Sequence, residues 1–148
     1  MQWTKPTHTS KGEIDRAGDI LISNTATEEE KNNALDMLNN WRAIHSYPMH
    51  VFKVGLKRNA LVIDKNALTA QRLKRVPSII NKLKRPYGGR PPTMKLSQMQ
   101  DIAGCRAVLA TVPQVKKLCQ DYLKGNLKHP RAGIKDYISH PKEDGYRS

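Results

Sequence analysis

Acid is scarce in this chain. Its 148 residues hold 13 Asp and Glu against 26 Lys and Arg, a formal net charge of +13. Cysteine is scarcer still: Cys105 and Cys119 are too few for a disulfide scaffold or a zinc ribbon. No stretch approaches the ~18 consecutive apolar residues of a spanning helix, and the opening MQWTKPTHTSKGE has no apolar signal core. A soluble, cytoplasmic protein with reduced thiols and no membrane partner is the expectation. With 38% hydrophobic and 26% charged residues, the composition is that of a folded domain rather than a disordered chain.

What is present is concentrated basic charge. An excess of 13 lies above the ~2–8 of an ordinary small domain and points to a polyanionic partner. From Lys53 to Arg90 there are eleven Lys or Arg and a single acid, Asp64, whereas seven of the thirteen acids precede residue 40. Such asymmetry predicts a basic face. A lipid surface fits poorly, because no basic stretch carries the bulky apolar side of an interfacial helix.

Local patterns predict the order of elements. Ser10 and Glu13 have capping-box spacing ahead of Ile14, Ala17 and Leu21, which predicts a helix over 11–22. Thr27 with Glu28, Glu29 and Glu30 opens a second helix, whose stripe Leu35, Leu38, Trp41 and Ile44 runs until Pro48. Phe52, Leu56, Ala60 and Ile63 predict a third over about 50–63. Residues 67–75 read as a short strand, and Pro77 introduces a short basic helix. The run PYGGRPP over 86–92 is a loop. A buried strand over 104–110, a helix over 113–124, a basic loop over 125–134, a short strand at 136–139 and a turn at 141–144 complete the pattern. An N-terminal helical segment, 1–65, thus precedes an alternating segment, 66–148.

Three clusters have chemical content. In Arg72-x-Lys74-x-x-x-Ser78-x-x-x-Lys82, cations and a hydroxyl gather where a strand gives way to a helix N-terminus, a natural anion site. A solvated basic helix face is the plainer reading. In Asp101-Ile102-Ala103-Gly104-Cys105-Arg106, a carboxylate before a strand suits Mg²⁺ shared with phosphate oxygens. The plainer reading there is an Asp101–Arg106 ion pair, with Gly104 and Cys105 as close-packing residues. Around Lys142, Gly145 and Tyr146, an aromatic ring stands beside cations as in base-stacking platforms, or is simply a core tyrosine after a turn. His140 is expected at the surface.

Taken in order, RxKxxxSxxxK, DIAGCR and KDYIxxPKxxGYxS resemble the synthetase domain of RelA/SpoT-type alarmone synthetases over residues 67–148. The resemblance implies an α/β fold, a nucleotidyltransferase-like mixed sheet flanked by helices. It also implies transfer of pyrophosphate from ATP to a ribose 3′-hydroxyl. Arg72, Lys74 and Lys82 would hold the ATP phosphates with Ser78, Asp101 would hold Mg²⁺, and Arg106 would contact the adenine. Tyr146 would stack the acceptor base, with Lys142 near the acceptor phosphate. Most such enzymes use GDP or GTP. A toxic subgroup, implying an antitoxin partner, instead modifies the tRNA 3′ end, and the basic charge leans toward that acceptor. Lys53, Lys57, Arg58, Lys84, Arg85 and Arg90 are the candidate tRNA surface.

This chain departs from the pattern at Asp144, where the family carries an uncharged polar residue. It also ends at Ser148, inside the third motif and before a downstream metal-binding acid, so the expectation is a truncated synthetase with low turnover by itself. No His-Asp dipeptide matches the hydrolase half of bifunctional relatives. A non-catalytic RNA-binding module is the rival reading.

Overall fold

The computed structural model of the chain describes residues 3–5, 9–86, 88–125, 133–143 and 145. Helix α1, Lys11–Ile22, starts at the expected capping box: the Glu13 N–H donates to Ser10 Oγ at 3.2 Å and the Ser10 N–H returns to Glu13 Oε2 at 2.7 Å. Helix α2, Glu28–Ile44, repeats the device with Thr27 and Glu30 at 3.2 and 2.7 Å. Hydrogen bonds from the cap backbone and hydroxyl hold both glutamates below their ordinary pKa.

Helix α3, Ser46–Ile63, corrects the expected boundary. Pro48 does not stop α2; the break comes at His45, and α3 begins four residues earlier than 50. Pro48 sits in the first turn of α3, where its missing N–H would have had no partner within the helix.

Strand β1, Leu68–Leu73, pairs antiparallel with β2, Ala103–Val108, in a register that sets Ala70 opposite Arg106 and Arg72 opposite Gly104. Between them lie α4, Val76–Leu83, and a 3₁₀ turn, Leu96–Gln98. Helix α5, Val112–Lys124, follows. Helices with an antiparallel strand pair make this an α/β fold with N-terminal helices. No helix among the described residues is long and apolar enough to cross a membrane.

β2 is not the buried strand its apolar composition suggests. Its residues alternate between half-covered and exposed, because α3 packs on one face of the pair and leaves the other open. Ala103, Cys105 and Ala107 take the covered side, where Cys105 Sγ donates to the Met49 carbonyl at 3.3 Å. Gly104, Arg106 and Val108 share the open side with Leu68, Ala70 and Arg72.

Beside the sheet, Ile14, Leu38, Ile79, Leu83, Leu96, Met99 and Ile102 form one core. It joins the first two helices to α4 and to the chain entering β2. Two aspartates of α1 pin that incoming segment: Asp15 accepts from the Ser97 N–H and Oγ at 2.8 and 3.0 Å, and Asp19 pairs with Lys95 at 2.7 Å. Gly18 lets the segment approach, since a Cβ there would stand 3.0 Å from Leu96 Cβ. Gly88 and Gly89, at φ 58° and 74°, turn the loop before it.

Two compact units divide the chain, Met1–Leu118 and Cys119–Ser148. In the second, 136–139 is a turn rather than the expected strand. Asp136 Oδ1 captures the Ile138 and Ser139 N–H groups at 3.0 and 2.9 Å, which withdraws them from any ladder. A further turn closes from the Gly145 N–H to the Lys142 carbonyl at 2.8 Å, with Gly145 at φ 77°.

The shared core predicts that the N-terminal helices stabilise the ground on which β1, α4 and β2 meet. Leu38→Ala, on α2, should cost about 2–5 kcal/mol of unfolding free energy in a urea titration. A loss under about 0.5 kcal/mol would mean the cores are separate.

Candidate functional site

Three features of the backbone bring the expected residues together. Past the end of β1, the Lys74 N–H donates to the Ile102 carbonyl at 2.8 Å, extending the ladder by one step. Ile102 is buried in the core, which anchors the preceding residue, Asp101, at the mouth of the strand pair. Then α4 begins two residues after Lys74, and its spacing sets Ser78 and Lys82 one turn apart on the same helix face.

The outcome is a carboxylate between two ammonium groups. Lys74 Nζ meets Asp101 Oδ2 at 2.9 Å, and Lys82 Nζ meets Oδ1 at 2.7 Å. Partial burial pushes the Asp101 carboxyl up, but hydrogen bonds and charge from Lys82 and Lys74 outweigh it and hold the pKa below its ordinary 3.8. The expected Asp101–Arg106 alternative is therefore replaced: Asp101 pairs with lysines from two different elements. Its side chain is 53% exposed, so the pairs contribute little to folding, about 0–1 kcal/mol each. Two cations arranged for so small a return suit an anion that arrives later.

An open cleft of about 360 Å³ adjoins this cluster, lined by Ala70, Gln71, Arg72 and Lys74 on one side and by Asp101, Ala103, Gly104, Cys105 and Arg106 on the other. Arg72 and Arg106 are diagonal neighbours on the open face, each opposite a small residue, Gly104 and Ala70 respectively. Gly104 is not a close-packing glycine: a Cβ there would meet nothing within 4 Å. Cys105 faces the covered side, and burial pushes its thiol pKa up against a smaller opposing effect of Lys53, which leaves it a poor nucleophile.

α4 adds polarity of the same sign. Arg75 occupies the N-cap without a side-chain cap, Pro77 lies in the first turn, and no acid offsets the positive helix end. Ser78 and Lys82 are not among the cleft's lining residues; Lys82 is joined to it through Asp101. Lys142 belongs to the second unit, where its ammonium stands 4.7 Å from the Tyr137 ring centre. Tyr146 and Asp144 lie outside the described residues.

One contributor escapes the motif reading. Arg42 of α2 donates from Nε to the Lys74 carbonyl at 2.9 Å and from Nη1 to Asn39 Oδ1 at 3.0 Å. Residue 74 is thus held from two sides, by the sheet and by an N-terminal helix. The contact spans 32 residues, and only a basic residue in the last turn of α2 hinted at it.

The depressed Asp101 pKa gives a signed pH prediction. Its stabilisation is present above the unfolded value near pH 4 and is lost as pH falls through the lowered folded value. Asp101→Asn, which removes both pairs, should therefore change stability at pH 7 by no more than about 2 kcal/mol. The gap between variant and parent should close as pH falls through the lowered folded value, in denaturant titrations across pH.

Residues 71–148 match the family described as a region found in RelA / SpoT proteins. No curated protein sequence matches the chain. The family stretch opens on β1, takes in α4 and β2, and covers slightly more than half of the chain; the protein accordingly belongs to the RelA/SpoT family, the pyrophosphate-transferring alarmone synthetases.

Proposed function

We propose that this chain binds ATP in the cleft between β1 and β2 and directs its pyrophosphoryl group to a ribose 3′-hydroxyl, that of a tRNA 3′ end. One observation carries the reading: Lys74 and Lys82 converge on Asp101 at 2.9 and 2.7 Å, at the edge of an open sheet face bearing Arg72 and Arg106. Phosphates fit the lysine end, where two ammonium groups and the uncapped start of α4 supply positive potential, with Ser78 in the same turn. The adenine is assigned to the open face of the strand pair, against the Arg106 guanidinium and over the small residues Gly104 and Ala70. Arg72 also remains within the cationic run that meets the phosphates.

Among the described residues no cluster of three His, Cys, Asp or Glu offers a protein-only metal cage. That donor set is consistent with Mg²⁺, which takes one or two carboxylates and completes its shell with phosphate oxygens and water. Asp101 would hold it, exchanging one lysine contact for the ion, and Mg²⁺ bound with ATP supplies charge neutralisation at the phosphates.

In the transfer, the 3′-oxygen bonds to the β-phosphorus as the bond from that phosphorus to the α–β bridging oxygen breaks, and AMP leaves. The lysines stabilise negative charge on the transferring group and on AMP. Asp101 is the only acid lining the cleft among the described residues, and its doubly bound, acid-shifted carboxylate is a weak proton acceptor. Its role is therefore electrostatic and metal-holding, and the hydroxyl proton goes to a base elsewhere. Lys142 and Tyr146 are assigned to the acceptor, the ring stacking on its base.

Net charge favours tRNA over free GDP or GTP. A mononucleotide is satisfied by a handful of cations, whereas this chain carries +13, and Lys84, Arg85 and Arg90 are all exposed just beyond α4. An antitoxin partner accompanies that acceptor assignment.

Two measurements test the proposal. ATP with Mg²⁺ should raise the Tm of the chain by linkage. Gly104→Leu, at an ordinary φ with open space around it, should leave the Tm without nucleotide unchanged and weaken ATP by about tenfold or more. Unchanged ATP affinity in that variant would remove the base from this slot. For the acceptor, tRNA should bind with a steep loss between about 50 and 200 mM salt, and Asp101→Asn should abolish the ATP shift while tRNA stays bound. GDP or GTP binding without tRNA binding would assign the free nucleotide instead, and tRNA binding without any ATP shift would favour an RNA-binding module.

A further inference from the structure

Helix α3 has two apolar faces, and only one is covered. Met49 and Ala60 are buried on the side that packs on the sheet. Around the opposite side, Tyr47, Val51, Val54 and Val62 are 53%, 51%, 54% and 83% exposed. At helical spacing these four fall within an arc of about 80°. Among the described residues this apolar row stands open to water over most of an 18-residue helix, interrupted by Arg58.

Two further observations characterise what fits there. Gly55 borders the same arc, and a Cβ on it would meet nothing within 4 Å, so a second helix backbone has room to come close. Trp3 already lies edge-on to Tyr47, with ring centres 5.7 Å apart, and 5.3 Å from His50, so the start of the strip accepts an apolar side chain. Charge then selects the partner. Lys57 and Arg58 lie at and beside the arc, Arg58 between Tyr47 and Val51 around it, whereas Lys53 lies toward the sheet, and the helix contains no acid. A second copy on this face would bring like charges together with no acid on the helix to offset them, which disfavours self-pairing. Nucleic acid would satisfy the cations but gain nothing from a row of exposed valines, since base stacking uses aromatic and guanidinium planes.

We propose that the Tyr47–Val51–Val54–Val62 face of α3 docks an acidic amphipathic helix of a partner protein. Apolar anchors on that helix would seat on the valines, with its carboxylates toward Lys57 and Arg58, the helix-in-groove form of recognition. The surface is independent of the nucleotide cleft assignment.

A synthetic helical peptide with Leu at the a and d positions and Glu at most others is the probe, and a matched peptide with Lys in place of Glu is its control. Fluorescence anisotropy with the full chain should show binding of the Glu peptide, and binding of the Lys peptide weaker by about tenfold or more. The exchange Val51→Gln with Val54→Gln leaves net charge unaltered and alters two side chains that are about half exposed. It should keep the Tm and weaken the Glu peptide by about tenfold. Arg58→Gln should flatten the salt dependence of the peptide's affinity. Equal binding to the Val51/Val54 double variant would reduce the effect to general attraction by a cationic chain and overturn the proposal. So would a dimer in sedimentation that the double variant disperses, which makes a second copy the occupant. A loss of tRNA affinity in that variant as large as the loss of peptide affinity would make the face a nucleic-acid surface instead.

Discussion

The candidate cleft is arranged around a carboxylate that two lysines share. Asp101 precedes β2, Lys74 follows β1, and Lys82 stands a full turn inside α4, so the contact holds only if strand pairing and helix placement are both correct. The trio sits at the surface, where water screens it, and its return to folding is small. Its worth lies in preorganisation. Two ammonium groups are kept in position by one negative charge, so under the proposed function the phosphate oxygens would meet cations already oriented.

The supports for that arrangement are apolar and mostly remote. Ile102 and Ile79, buried in the same core, flank the polar cluster, one beside Asp101 and the other beside Ser78. Leu38 and Ile14 bring the first helices to the same core, and Arg42 extends their influence to the Lys74 carbonyl. On the incoming side, Asp15 and Asp19 tether the segment that leads through Leu96 and Met99 to Asp101. Residues far from the cleft thus set its geometry. The acids concentrated before residue 40 act in part as these tethers and as helix caps.

The half-covered sheet links architecture to recognition. With α3 on one face, the antiparallel pair keeps its other face for Arg72, Arg106, Gly104 and Ala70. Small residues opposite arginines give a shallow, cationic surface rather than a packed layer. The outer side of α3 is likewise uncovered, but apolar. One element therefore lies between a cationic sheet face, beyond the strands it supports, and an exposed apolar row on its back, and the two differ in chemistry.

Much of this was legible in the residues alone. Ser10/Glu13 and Thr27/Glu30 announced two helix starts because a capping box depends on neighbours three positions apart, and the order of Arg72, Lys74, Lys82, Asp101 and Arg106 resembled the family whose model matches residues 71–148. The errors arose where a local signal met a tertiary choice. Pro48 reads as a stop, yet a first turn tolerates it; 136–139 reads as a strand, yet Asp136 captures its N–H groups; GCRAVLA reads as buried, yet only one side of β2 receives a cover. The partner of Asp101 was undecidable from spacing, because Arg106 is five residues away in sequence whereas Lys74 and Lys82 are 27 and 19. Local propensity and residue chemistry are properties of the chain. Which distant side chains share a carboxylate, and which face of a strand or helix stays open, follows only from how the elements pack, since burial and long-range pairing are properties of the folded whole.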